Sequence, residues 1–363
     1  MIELMESLGL CDECQACLDV CPTYIATQNE EFSPIGRLKA AKGIFQGGEV
    51  TPQMIESIYN CPGCYLCINV CPYKIDVPEI VGQSRIELVK RGLGPLERHN
   101  RIIDGIQKLG NSVNGDPSRR LDWLPEEFPR RESSTLFFAG CLPSYLVKDA
   151  AASSYLLLKK LGVDFMILQD EGCCGVYFHS AGRIDLARER FEGNADRFKK
   201  LGIKKVIVTC AGCYKAFKRL SPQLLGGIDF EVVHIIQLLP SLLKEKGIKM
   251  EDKGIEVTYQ DPCDIGRLAG VYDEPREALK LCGVTVNELP QNRENAPCCG
   301  GVVRSVYRDL ALKLATSILD QAPTSAIVTS CPFCEFNLSY TARKTERNKK
   351  VAYITETILQ ALT

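Results

Sequence analysis

Eighteen of the nineteen cysteines in this 363-residue chain fall into four groups, and their spacing constrains the fold more than any other feature. The first two groups share the spacing C-x2-C-x2-C-x3-C, and a proline follows each. Such runs bind four-iron clusters, and the fourth cysteine reaches the other cluster. Structural zinc sites, the alternative, usually pair two C-x2-C halves across a longer gap. We predict one cubane [4Fe-4S] cluster on Cys11, Cys14, Cys17 and Cys71, and another on Cys61, Cys64, Cys67 and Cys21.

The other two groups repeat one pattern of five cysteines, C-x31-CC-x35-C-x2-C and then C-x34-CC-x31-C-x2-C. Glycine follows each adjacent pair, and corresponding cysteines lie 121 to 125 residues apart. Self-similarity at this period indicates a duplicated domain of about 120 residues. The first copy contains Cys141, Cys173, Cys174, Cys210 and Cys213, and the second contains Cys263, Cys298, Cys299, Cys331 and Cys334.

Short apolar runs lead into these cysteines, such as TLFFAGC and SAIVTSC, and segments with helical periodicity follow them. Alternating strands and helices predict α/β units with parallel sheets, in which ligands bind at the carboxyl ends of the strands. We therefore expect the five thiols of each copy to converge on one point. A cubane or a tetrahedral zinc ion uses four, so the fifth thiol favours a cluster with an additional bridging thiolate.

The segment between the first two cysteine groups has helix signals and little strand pattern. It resembles the α-helical ferredoxin domain of heterodisulfide reductase and succinate dehydrogenase iron–sulfur subunits. The predicted fold is an α-helical ferredoxin domain (1–91), a linker (92–133), and two duplicated α/β CCG domains with parallel sheets (134–248 and 249–363). The linker is rich in proline, glycine and charge, so we expect irregular structure there.

The whole pattern resembles the D-type subunit of heterodisulfide reductase, which corresponds to a fusion of separate C and B subunits. In that family each complete CCG motif holds a non-cubane [4Fe-4S] cluster through five cysteines. The two clusters flank a cleft where the CoM-S-S-CoB heterodisulfide is reduced by electrons from the cubane clusters. The resemblance therefore implies that the ten cysteines of the two copies hold two catalytic non-cubane clusters. Iron–sulfur subunits of glycolate and lactate oxidoreductases share the layout, but many lack a CxxC cysteine that both copies keep here.

Four further side chains near the cysteines are candidates for the site. His179 is a candidate proton donor to a product thiolate, because the unperturbed pKa of histidine is about 6.5, and a structural role at a helix start is the alternative. Arg183, Arg267 and Arg304 lie four to nine residues from a cluster cysteine. They are candidate ligands for an anionic disulfide substrate, with surface ion pairs or partner contacts as the alternative.

Several other side chains are expected to be structural or solvated. Trp123 is the only tryptophan, and we expect it to pin the linker to a domain surface. Arg119, Arg120, Arg130 and Arg131 in the linker are expected to be solvated, with contact to a partner as the alternative. We expect His234 to be structural and His99 to lie on the surface.

Composition and missing motifs limit the remaining possibilities. A net charge of −1 gives no basic footprint for nucleic acid, and no apolar stretch is long enough to span a membrane. Without a secretory signal we expect a cytoplasmic location. Without a G-x-G-x-x-G or P-loop motif we expect no flavin, nicotinamide or ATP site on this chain.

A chain of this kind would exchange electrons with a partner, either a flavoprotein or a membrane cytochrome subunit, and would reach a membrane only through that partner. The main alternative to a disulfide reductase is a non-catalytic electron-transfer subunit. It would link a flavin dehydrogenase, for a hydroxy acid or acyl-CoA, to quinone or another carrier. A third interpretation places zinc in one CCG domain.

Overall fold

The structure is a computed structural model that describes residues 2–129 and 131–363, so that Arg130 lies outside the described residues. Helices form the N-terminal region: α1 (Ile2–Gly9), α2 (Pro22–Thr27), α3 (Pro34–Phe45), α4 (Pro52–Tyr59), α5 (Leu66–Val70), α6 (Val77–Lys90) and α7 (Glu97–Leu109). The side chains of Ser33 and Thr51 cap α3 and α4, each of which begins with proline. The capping hydroxyl and the proline both favour a helix start, because the hydroxyl oxygen accepts a hydrogen bond from a free backbone amide and proline fixes a helical φ.

A three-stranded parallel sheet forms the first CCG domain, with the strand order β1-β2-β3. Its elements are β1 (Thr135–Phe138), α8 (Cys141–Tyr145), α9 (Lys148–Lys160), α10 (Val176–Ser180), α11 (Ile184–Lys200), β2 (Lys205–Val208), α12 (Ala211–Lys215), α13 (Ser221–Leu225), β3 (Glu231–His234) and α14 (Ile235–Glu245). A π-helical turn, Ala216–Leu220, joins α12 to α13.

A four-stranded parallel sheet forms the second CCG domain, with the order β5-β4-β6-β7. Its elements are β4 (Ile255–Gln260), α15 (Cys263–Gly266), α16 (Asp273–Leu281), β5 (Val284–Val286), α17 (Arg308–Gln321), β6 (Ala326–Thr329), α18 (Pro332–Lys344), β7 (Lys350–Tyr353) and α19 (Ile354–Ala361). In the first copy a parallel bridge between Leu136 and Met166 takes the place of β5. The two sheets therefore share one strand order, and the predicted duplication and parallel sheets are confirmed.

Single-turn 3-10 helices complete the described elements, at Glu30–Phe32, Pro117–Arg119, Arg293–Asn295 and Gly301–Val303. One apolar core runs through both CCG domains, and α9 packs on α19 while α14 packs on α16. The N-terminal helices have a separate core. No helix in the described part of the chain is long and apolar enough to cross a membrane.

The expected irregular linker contains a 13-residue helix, α7, so that expectation was wrong. Ile103 and Ile106 lie on one face of α7 and are buried in the core of the CCG domains. This apolar spacing drives helix formation, although the surrounding charge and glycine obscure it in the sequence. Trp123 is buried and packs edge-on against Phe137 and Tyr155, which confirms its predicted role as an anchor.

Candidate iron–sulfur and substrate site

The carboxyl ends of four strands position the first cysteine and the CxxC cysteines of each CCG domain. Cys141 begins α8 after β1, and Cys263 begins α15 after β4. Cys210 and Cys331 are the N-cap residues of α12 and α18, directly after β2 and β6. Because the strands are parallel, these ends meet at one edge of each sheet, as the sequence predicts.

The glycine after each adjacent cysteine pair adopts a left-handed conformation, with φ of 89° at Gly175 and 77° at Gly300. Each glycine donates its amide to the first thiol of its pair, with an N–Sγ distance of 3.4 Å to Cys173 and to Cys298. A Cβ atom on Gly300 would lie 3.0 Å from the Cα of Ala311. Glycine is therefore needed for both the backbone angle and the close packing.

All ten thiols of the two copies form one connected series of side-chain contacts. Within the second copy the sulfur atoms of Cys299 and Cys334 are 3.2 Å apart. Cys210 contacts Cys331 and so joins the two copies. From that junction the series runs through Cys213, Cys174, Cys173 and Cys141 on one side, and through Cys334, Cys299, Cys298 and Cys263 on the other.

The eight N-terminal cysteines form an open group and a buried group. We call Cys11, Cys14, Cys17 and Cys71 the outer site, and Cys61, Cys64, Cys67 and Cys21 the inner site. The outer cysteines line one small cavity and include the exposed Cys14. Three inner cysteines are buried, and Cys21 lies near Cys67. Cys67 also lines the cavity of the outer site and Cys21 also lies near Cys17, so the two groups adjoin each other and the crossed assignment stays a prediction.

The inner site extends the series of thiols, because Cys64 contacts Cys298 of the second CCG domain. The hydrogen bond with Cys298 lowers the pKa of Cys64 to about 6, in opposition to its burial. Contacts with Cys173 and Cys213 likewise lower the pKa of Cys174 to about 6. The same contacts raise the pKa of the partner thiols Cys298 and Cys213, so each pair favours one thiolate beside one protonated thiol.

A cavity of about 120 Å³, which we call the central cavity, lies between the two CCG domains. Its thiol lining comes from both copies: Cys210, Cys263, Cys298, Cys299, Cys331 and Cys334. The N-terminal region adds Tyr65, which follows Cys64 and has a left-handed φ of 67°. All three predicted domains therefore contribute to one wall.

Lys215 provides the cationic group of the central cavity, and the sequence analysis did not single it out. Its Nζ lies 3.4 Å from Oδ1 of Asp264 and 5.2 Å from the ring centroid of Tyr65. Burial is the largest single effect and lowers the pKa of the Lys215 ammonium, but Asp264, Tyr65 and Cys263 together outweigh it and the net pKa is raised. Lys215 lies two residues beyond the second CxxC cysteine, and this position was the available sequence signal.

His179 lines the central cavity, as its place in the sequence suggested. Burial, followed by the charge of Lys215, lowers the pKa of His179 to about 4. Its imidazole is therefore neutral near pH 7, and the protonated form expected from its ordinary pKa is not available.

The three candidate arginines do not meet at the central cavity. Arg183 forms an ion pair with Asp185, and Arg304 stacks on the ring of Tyr340, 3.9 Å from its centroid. Arg267 instead bridges the N-terminal region and the second CCG domain, where its Nε donates to the carbonyl of Cys64. The structure therefore gives no support for substrate contacts by these arginines. The prediction rested on proximity in sequence to a cysteine, which does not fix the direction of a long side chain.

The two remaining histidines are both structural. His234 caps α14 and donates through Nε2 to the carbonyl of Thr209 at 2.8 Å, as expected. His99 was expected on the surface, but it is buried, with Nδ1 2.8 Å from the hydroxyl of Tyr177. Because α7 packs between the N-terminal helices and the first CCG domain, it carries His99 inward.

The residues present fit iron–sulfur clusters. The Nη2 atom of Arg267 is buried without a hydrogen-bond partner beside Cys64, Cys263 and Cys298, where cluster sulfur would be an acceptor. A Cβ atom on Gly140 would lie 3.3 Å from the sulfur of Cys213.

Comparison with known proteins agrees with this arrangement. A 4Fe-4S dicluster domain matches residues 7–75, and a cysteine-rich CCG domain matches residues 135–218 and 257–339. A hypothetical protein from Helicobacter pylori has the same fold, with a TM-score of 0.68 over 99% of this chain and 74% of its own, at 11% identity.

Curated relatives extend over most of the chain. The D-type subunit of the dihydromethanophenazine:CoB–CoM heterodisulfide reductase of Methanosarcina mazei is 34% identical, over 93% of this chain and 89% of its own length. The EtfAB:quinone oxidoreductase of Syntrophomonas wolfei is 30% identical, over 79% of this chain and 44% of its own length. Together with the thiol arrangement, these matches show that the chain is an iron–sulfur oxidoreductase subunit that belongs to the family of D-type heterodisulfide reductase subunits.

Proposed function

We propose that this chain reduces a small disulfide, such as the CoM-S-S-CoB heterodisulfide, in the central cavity. The observation that carries the proposal is the convergence of thiols from both CCG copies on this one cavity. The reaction consumes two electrons and two protons, breaks the S–S bond and releases two thiols. Cubane clusters on the outer and inner sites and non-cubane clusters on the ten CCG cysteines would supply the electrons one at a time.

The thiols that line the central cavity are also the predicted cluster ligands, so clusters would occupy part of its volume of about 120 Å³. We therefore expect the substrate to reach the clusters through its disulfide group, from the side of the cavity that Lys215 and His179 line.

Lys215 is the protein group best placed to assist cleavage. Negative charge develops on each sulfur as the S–S bond breaks, and a fixed cation in a buried site stabilises such charge more than it would in water. The Lys215 ammonium is held by Asp264 and the ring of Tyr65, so it needs little reorganisation. Neutral His179 on the same wall is a hydrogen-bond donor or acceptor to the substrate.

The test uses the full chain, purified without oxygen and loaded with iron. We expect reduced viologen plus CoM-S-S-CoB to give two thiols for each disulfide. In Lys215→Met the rate of thiol release should fall by about 10²-fold, the size of losing one preorganised donor, with iron content unchanged. Arg183→Gln is the matched control, because Arg183 pairs with Asp185 outside the cavity. Equal rates in the two variants would contradict the role of Lys215.

The second candidate is a non-catalytic electron-transfer subunit that links a flavin dehydrogenase to quinone or another carrier. It is favoured by the similarity to a protein named as an EtfAB:quinone oxidoreductase. In that case fully loaded protein would release no thiol from any disulfide, and a reduced flavoprotein would bleach its visible absorption. Partner subunits, either a flavoprotein or a membrane cytochrome, are part of both proposals.

A further inference from the structure

Three arginines are packed around the inner site without a carboxylate partner among the described residues. Arg37 and Arg85 are only 2% and 8% exposed, and Arg267 is half-buried. Cysteine sulfurs are the leading electrostatic neighbours of all three, and Asp264, which is paired with Lys215, acts on Arg267 without forming an ion pair with it. A buried charge is costly unless it is paired, so the thiolates of the inner site are the anions that this arrangement implies.

Arg37 is bound most closely to the inner site. Its Nη1 lies 3.5 Å from the sulfur of Cys21, and its Nη2 donates to the hydroxyl of Thr23 at 2.6 Å and to Asn60 Oδ1 at 2.7 Å. Its Nε donates to the carbonyl of Ser57 at 3.1 Å. All its other partners are neutral, so the guanidinium is held rigidly against the sulfur with its full charge.

Arg85, on α6 of the N-terminal region, and Arg267, in the second CCG domain, also approach the inner site. Arg85 donates to the carbonyl of Cys61 at 2.7 Å and to the carbonyl of Ser180 in the first CCG domain at 3.1 Å. Arg267, from the second CCG domain, donates to the carbonyl of Cys64, and its Nη2 has no partner. The inner site thus receives positive charge from the N-terminal region and from the second CCG domain, while the first CCG domain contributes the carbonyl that holds Arg85.

The outer site has the opposite surroundings. Asp12 accepts from the amide of Cys14 at 3.1 Å, so a carboxylate lies at the cluster loop itself. The nearby Lys39 is exposed and is neutralised by Glu13 at 2.8 Å. Solvent reaches Cys14, and it screens these charges far more than it screens the buried guanidinium groups.

We propose that Arg37, Arg85 and Arg267 act as positioning residues that hold the reduction potential of a cluster on the inner site above that of a cluster on the outer site. Reduction adds a negative charge, so fixed positive charge favours the reduced form, and net charge, hydrogen bonds and exposure are the known determinants of cluster potential. Burial alone would favour the opposite order. An electron taken up by the N-terminal region therefore resides on the inner site, next to Cys298.

The wild-type protein provides the first test, by a redox titration of the iron-loaded full chain followed by EPR. Cys14→Ser identifies the outer signal as the one that it removes or shifts, and Cys61→Ser identifies the inner signal. We expect the inner signal to appear at the higher potential. The reverse order would overturn the proposal without any arginine variant.

Arginine variants provide the second test. In Arg267→Gln we expect at least a tenfold lower ratio of reduced to oxidised inner cluster at fixed potential, which is about 59 mV for one electron. The outer midpoint should stay unchanged. Arg267→Lys keeps the charge and should restore most of the shift, whereas a merely structural role would leave it unrestored. Arg119→Gln removes an exposed guanidinium and is the control for the loss of one positive charge from the chain; it should leave both midpoints unchanged.

This inference rests on the clusters of the proposed function and does not depend on a disulfide substrate. Protein without iron at the N-terminal cysteines would contradict the proposed function. Protein with both signals in the reverse order, or with an Arg267→Gln midpoint equal to that of wild type, would contradict only the role of the arginines.

Discussion

Replacing Arg120 with methionine should destabilise the first CCG domain strongly, although the sequence places this arginine in a charged linker. Arg120 and Glu171 form an ion pair whose side chains are only 5% and 4% exposed. Glu171 also accepts the amides of Ala139 and Gly140, each at 2.8 Å, directly before Cys141. The pair therefore fixes the loop that presents this thiol.

The expected loss follows from the burial of the pair. Removing one partner of a buried ion pair costs about 3–5 kcal/mol, because the other charge stays buried and uncompensated. An unfolding entropy of about 2.1 cal/mol/K per residue over 363 residues converts this loss into a Tm about 4–7 °C lower. Methionine keeps much of the side-chain volume, so little of the effect comes from a cavity.

The assay is thermal unfolding of the iron-loaded chain without oxygen, followed by circular dichroism. The adjacent Arg119 offers a matched control, because its side chain is 67% exposed and pairs with Asp122. Exposed pairs contribute about 0–1 kcal/mol, so Arg119→Met should shift Tm by about 1 °C or less. Equal shifts for the two variants would refute the argument from burial.

Three further predictions concern single contacts. Burial lowers the pKa of His234 to about 4, and its two hydrogen bonds require the neutral ring. The unfolded chain therefore binds a proton at this histidine more tightly than the folded chain does. The free energy of unfolding should fall as the pH drops from about 6.5 towards 4, by up to about 1.4 kcal/mol per pH unit. Denaturation at several pH values measures this slope, which should shrink in His234→Gln. Gly140→Ala should reduce the iron content measured by metal analysis, because φ is 86° and the new Cβ would lie 3.3 Å from the sulfur of Cys213; full loading with unchanged Tm would contradict it. Tyr353→Phe should lower the free energy of unfolding by about 0.5–1.5 kcal/mol, the net value of one hydrogen bond, since the buried carbonyl of Thr209 loses the hydroxyl donor at 2.7 Å and keeps His234 Nε2; a neutral result in denaturation would argue against this contact.

The cysteine spacing predicted the duplicated CCG domains and the convergence of their thiols, and the helix signals between the first two cysteine groups predicted a helical N-terminal domain. These features depend on short cysteine spacings and on loops that directly follow strands, and a short stretch of sequence is enough to predict either one. The glycine after each adjacent cysteine pair is likewise explained by its own loop, which requires a left-handed φ at that position.

The surroundings of the thiols could not be predicted in the same way. Arg119 and Arg120 are neighbours in one charged stretch, yet one is exposed and the other is buried with Glu171. What separates them is the packing of the segment against the first sheet, which no local pattern encodes. Lys215 and Tyr65 were missed for a related reason, because they meet only where separate domains come together.

The contact between Cys64 and Cys298 joins parts of the chain that are more than 200 residues apart in sequence. If two separate polypeptides supplied these thiols, the contact would form by mass action and would be lost on dilution. On one polypeptide the partners meet at an effective concentration that the connecting chain sets, typically about millimolar for a short flexible link. Neighbouring redox sites in this protein are therefore kept together by chain connectivity, independently of how much protein the cell makes.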